Sequence, residues 1–145
     1  PELAMHGFAV GAAHVRALVQ ADGESAWAAY RIEDAGRVLV YAAAPVLATS
    51  AARVLCSKAD VLIHHAGSLV NPADGAIVDR GSVVDQVIDL AREAAVKTVV
   101  LFDYDPDATD SDVDRMLARA HRRAETGGGS ALSLRAAAEG ASLDV

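Results

Sequence analysis

Ala29-Tyr30-Arg31-Ile32-Glu33-Asp34-Ala35-Gly36-Arg37-Val38-Leu39-Val40-Tyr41 is the stretch on which the fold turns. It holds two strand-like runs, Trp27 to Glu33 and Arg37 to Ala42, rich in aromatic and β-branched residues. Between them Asp34-Ala35-Gly36 forms a short loop, and Gly36 has no Cβ to oppose a positive φ. Two such runs joined so tightly predict an antiparallel hairpin.

Outward from the hairpin the pattern changes period. Upstream, Phe8 to Ala17 alternates apolar with small or polar residues and predicts one strand, followed by a turn at Ala21-Asp22-Gly23-Glu24-Ser25. Downstream, Val46, Leu47, Ala51, Val54 and Leu55 predict a helix over Val46 to Lys58, with Thr49 or Ser50 as its cap. Asp60-Val61-Leu62-Ile63-His64-His65 has the continuous apolar character of a buried strand. Ala66 to Ser82, rich in Gly, Pro, Asn and Asp, predicts a long loop. An amphipathic helix follows over Ser82 to Ala95, with Ser82 and Asp85 as a capping-box-like start. Thr98 to Phe102 is a second buried strand, and Asp103 to Asp110 an acidic loop. Ser111 to Ala124 is a third helix, with Asp110 or Ser111 as cap and Val113, Met116, Leu117 and Ala120 inward. After Gly127-Gly128-Gly129, Ala131 to Arg135 and Ala141 to Val145 predict two short final strands. Strands followed by alternating helix and strand define an α/β chain.

Composition narrows the function. The chain has 145 residues, room for a single domain, residues 1–145. Its net charge of −7 argues against a nucleic-acid partner and against an anionic membrane surface. The lone Cys56 allows no internal disulfide and predicts a buried filler in a reducing, cytoplasmic setting. No apolar run reaches membrane-spanning length and no secretory leader is visible. The chain begins at Pro1 rather than Met, so it is expected to be a processed form or a piece of something longer.

Several stretches, taken in order, resemble the metallo-β-lactamase-fold hydrolases of the ribonuclease Z and phosphodiesterase type. These are Ala29 to Glu33 with Gly36 to Tyr41, then Ala59 to His64, then Ala91 to Phe102, and finally Ala138-Glu139-Gly140-Ala141-Ser142-Leu143, which looks like that family's closing "A-E-G-M" strand. The resemblance implies the C-terminal half of an αββα sandwich: a mixed sheet with about three helices. It also implies a metal site, and there the residues depart from the pattern. The "H-x-H-x-D-H" motif of the family's first half has no counterpart. The histidine ligand after the first strand falls near Ala17, with His14 close by. Ala44 stands where the family has a bridging aspartate, and Arg80-Gly81-Ser82 where it has "G-H-S". Asp103 stands where "L-F-H-x-D-P" has a histidine. A di-zinc site needs converging imidazoles and a bridging carboxylate, and an alanine offers no donor atom.

The remaining candidates are His64, His65, Asp103, Asp105 and His14, which could line a residual cleft at the carboxyl ends of the strands. In the family His65 would be an acid. Adjacent strand residues point to opposite faces, so His64 and His65 cannot chelate one ion together and are read as a structural pair, with a ligand role as the alternative. Asp103, Asp105 and Asp107 have the alternate spacing of a calcium loop, but Ala108 replaces its glycine, Pro106 stiffens it and Asp114 stands at the closing glutamate. An acidic strand-to-helix turn is the plainer reading. Arg115, Arg119, Arg122 and Arg123 line one helix face, expected to be solvated and balanced by the nearby aspartates.

The expected function is therefore a non-catalytic interaction or regulatory domain on a degenerate hydrolase scaffold, with no catalytic residue and no cofactor. Half of a two-sheet sandwich exposes an apolar sheet face, so a homodimer or pairing with an N-terminal half is expected. The alternative is a metal-dependent hydrolase completed by that missing half, with His14, His64, His65 and Asp103 as ligands to zinc or another divalent ion. A third reading is a small-ligand sensor with Ala66 to Gly81 as its lid.

Overall fold

The computed structural model describes residues 2–22, 25–43, 49–67, 69–70, 77–78, 80–105, 107–126 and 131–145. Its first part is an antiparallel meander of β1 (Glu2–Val10), β2 (Ala13–Asp22), β3 (Ser25–Asp34) and β4 (Arg37–Ala42). The β3–β4 hairpin forms as the sequence predicts, with a tighter turn. Asp34 pairs with Arg37, and Ala35 (φ 47) and Gly36 (φ 76) are both left-handed, as a two-residue hairpin turn matching strand twist requires. The single strand expected over Phe8 to Ala17 is instead a hairpin. Val10 pairs with Ala13 across Gly11 (φ 60) and Ala12.

From β4 onward the chain is parallel. α1 (Ser50–Cys56), β5 (Val61–His65), α2 (Arg80–Glu93), β8 (Thr98–Phe102), α3 (Asp110–Glu125) and β9 (Ser133–Ala136) alternate. The loop expected over Ala66 to Ser82 contains a small antiparallel pair, β6 (Leu69–Val70) with β7 (Ile77–Val78), and the first turn of α2. The main sheet has seven strands in the order β1-β2-β3-β4-β5-β8-β9. Its three crossovers, β4 to β5, β5 to β8 and β8 to β9, all step the same way across the sheet. Right-handed crossovers that step one way must lay every helix on one face.

The core reflects this. Ala52, Leu55, Val84, Val87, Ile88 and Ala120 of the helices form one buried cluster with Leu18, Ala29, Val40, Leu62, Val99, Leu101 and Leu134 of the strands. The register puts those strand residues on a common face: Leu18 opposite Ala29, Val40 opposite Leu62, Leu62 opposite Val99, Val99 opposite Leu134. Val15, Ala17, Val61 and Val100, on the other face, are buried outside that cluster. Phe8 (49% exposed), Val10 (61%) and Tyr30 (37%) share this face, which carries no helix among the described residues and is apolar and partly open.

One helix cap falls on an expected residue and two helix starts differ from expectation. Thr49 caps α1, accepting from Ala52 N–H at 3.0 Å. α2 starts at Arg80, so Ser82 lies inside it, and Asp85 accepts from Nε and Nη2 of Arg119 instead of capping. α3 is capped by Thr109, which forms a reciprocal capping box with Asp112, rather than by Asp110 or Ser111. The arginine face pairs mainly with α2: Arg119 with Asp85, Arg123 with Asp89, while Arg115 pairs with Asp112. At the chain end β9 is the one strand among the described residues. Glu139 and Gly140 turn, and Ala141 to Val145 adds none, so the expected closing strand is absent.

Buried Arg31 locks the meander to the helical layer. From β3 its guanidinium donates to Leu55 O (3.0 Å) and Ser57 O (2.8 Å), carbonyls that the end of α1 leaves open. Its Nε donates to Glu33 (2.6 Å), which Arg16 also contacts. Hydrogen bonds from Arg31 and then Arg16 hold the Glu33 carboxyl down to about 2.

Candidate functional site

β5 and β8 are adjacent parallel strands, so their carboxyl ends open at the same edge of the sheet, where α/β folds place ligands. Alternation then sends His64 and His65 to opposite faces.

His64 faces the helices and is 1% exposed. Its Nδ1 lies 2.8 Å from the carbonyl oxygen of His65, so Nδ1 carries the proton and donates. Nε2 is then a bare lone pair with no partner. His64 shares the walls of a void of about 10 Å³ with Ala29, Val40, Leu55, Cys56 and Leu90. Burial pushes the imidazole down to about 4 and the Cys56 thiol up to about 12. His64 therefore belongs to the core and not to the cleft.

His65 turns the other way, on the face of Tyr41 and Phe102, whose rings stack at 5.4 Å. Its Nε2 lies 3.4 Å from Asp103 Oδ2, and its Nδ1 is buried without a partner. Asp103 leaves β8 in the left-handed region (φ 57) and is largely exposed. Gly67 makes this apposition possible. A Cβ there would fall 2.8 Å from Asp103 O and 2.9 Å from His65 Nε2, closer than real contacts allow. Nothing in the sequence distinguishes Gly67 from the other loop glycines. Its role depends on two strands meeting.

The other candidates do not join this pair. Asp105 Oδ1 accepts from Asp107 N–H at 2.8 Å, closing an Asx-type turn, and Asp107 is exposed. His14 lies on β2 opposite Ala9 and Glu33, in the row of Val38 and so at the amino end of β5. Three strand spacings and about five residues along the strands separate it from His65, roughly 20 Å. Tyr104 O–H donates to Leu101 O, and a cavity of about 280 Å³ opens behind it, walled by Ala66, Ala108, Val113 and Met116. Gly81 sits in the first turn of α2. Ala44, Pro106 and most of the expected lid, residues 68, 71–76 and 79, lie outside the described residues.

No family model matches the chain, and no curated protein matches it. Solved structures do. The metallo-β-lactamase fold protein YhfI from Bacillus subtilis superposes with a TM-score of 0.66 at 14% identity, over 91% of this chain and 50% of that one. A diphosphatase of the PhnP family superposes at 0.51 and 13% identity, over 89% of this chain and 42% of that one. A variant of the CmlA β-hydroxylase superposes at 0.55 and 16% identity, over 92% of this chain and 31% of that one. The fold is thus part of a metallo-β-lactamase-type architecture, and the chain spans half the length of YhfI or less of the others.

That fold implies metal, and the donors among the described residues do not fit it. Among the described residues no three His, Cys, Asp or Glu side chains come together. His64 points into the core, Asp105 is held in its turn, and His14 is remote. His65 and Asp103 alone give one nitrogen and one carboxylate, short of the three protein ligands a catalytic zinc needs. No helix among the described residues is long and apolar enough to cross a membrane.

Proposed function

We propose that this chain is a non-catalytic interaction domain built on half of a metallo-β-lactamase-type scaffold, and that its helix-free sheet face is the contact surface for an N-terminal half or another protein. One observation carries the reading: two of the donors left at the strand ends, His64 and Asp105, serve the fold. His64 satisfies a backbone carbonyl from inside the core, and Asp105 closes a turn. The open apolar face with Phe8, Val10 and Tyr30 supplies the contact. In a hydrolysis assay with bis(p-nitrophenyl) phosphate and added Zn²⁺ or Mn²⁺, the purified chain stays at the uncatalysed rate. Metal-dependent turnover that disappears in Asp103→Ala would overturn the reading.

The chain's coverage of half or less of its structural neighbours favours a second reading, a hydrolase completed by a missing half. His65 and Asp103 would then be its contribution. The same assay, run with an N-terminal half of this fold added, separates the two: turnover only in the mixture supports the second.

A further inference from the structure

β1 ends the seven-stranded sheet. One side of its backbone pairs with β2 at every position from Glu2 to Val10, without a bulge. Its other side has no strand against it among the described residues. Such an edge is a row of open N–H and C=O groups, and proteins usually blunt it with Lys, Pro or a bulge. β1 has none of these: from Leu3 to Val10 it carries no charged residue and no proline. Residues 5–10 are all exposed.

We propose that β1 pairs antiparallel with β1 of a second copy, giving a two-fold dimer with one continuous sheet. This inference is independent of the function proposed above. Three features select a second copy over another strand. The first is charge: each copy is net −7, and the neutral edge lets two acidic chains approach without setting carboxylates side by side. The second is self-complementarity about Gly7. With Gly7 opposite Gly7 of the second copy, Met5 lies opposite Ala9 and His6 opposite Phe8. On one face bulky Met5 meets the shallow depression floored by Gly7 and Ala9 and walled by His14, Arg16 and Glu33. On the other face the His6 and Phe8 rings meet. The third is closure: an isologous contact between identical edges stops at two copies. The opposite edge, β9, has only four residues.

Light scattering on the intact chain tests this. The wild type is expected at twice the chain mass. Gly7→Lys and Gly7→Glu each set like charges head-on at the two-fold axis, and each is expected to weaken dimerisation at least tenfold while keeping the wild-type circular dichroism. Mixing the two variants one to one sets Lys against Glu and is expected to restore the dimer. A wild-type monomer, or a dimer that survives both single substitutions, would overturn the proposal, and the wild-type mass decides even if a variant fails to fold.

Discussion

An imidazole nitrogen with no partner in an apolar wall, as at Nε2 of His64, ties stability to pH. In the folded chain the group titrates at about 4, against 6.5 for an ordinary histidine. As pH falls below 6.5 the unfolded chain takes up the proton first, so stability drops, and the loss is complete once the folded form also titrates near 4. At roughly 1.4 kcal/mol for each tenfold difference in proton affinity, the loss is about 3 kcal/mol. Urea unfolding at pH 7.5 and pH 4.5 measures it. The wild type is expected to lose stability over this range relative to His64→Leu, which carries no titrating group there. Parallel curves for the two proteins would contradict the buried, unpaired geometry.

At the scale of elements, α2 ends on a conformation its sequence does not favour. Ala95 is left-handed (φ 55), Val96 N–H donates to Ala91 O (2.8 Å) and Ala95 N–H to Arg92 O (3.1 Å), the two bonds of a Schellman motif that usually carries glycine. Ala95→Gly removes the Cβ strain at some cost in unfolded-chain entropy, and is expected to stabilise by about 0.5–1 kcal/mol. A higher thermal midpoint checks it. An unchanged or lower midpoint would mean that the left-handed alanine costs nothing. Elements with strong periodic signals were legible in the sequence: the Asp34–Arg37 hairpin, β5, β8 and the bodies of all three helices. The β1–β2 turn was not, because Gly11-Ala12 sits in a run of small apolar residues and the alternation reads straight through it. The start of α2 was hidden because Gly81 and Ser82 have turn composition yet lie within the helix. Of the site, the opposite facing of His64 and His65 follows from strand geometry alone. The separation of His14 and the fit of Gly67 against Asp103 depend on register and twist that no local pattern encodes.

At the scale of the molecule, crossovers that step one way pack the three described helices on one face and leave the other apolar and partly open. The same topology brings the ends of β5 and β8 together, and there His65 and Asp103 face each other without a third donor among the described residues. The proposed interaction role requires a contact face on this scaffold and no metal centre. Calorimetric titration of the metal-stripped chain with Zn²⁺ tests it most directly. No saturable heat is expected at micromolar protein, for the wild type or for variants at His65 or Asp103. One or two equivalents bound with submicromolar affinity, abolished by His65→Ala, would contradict it.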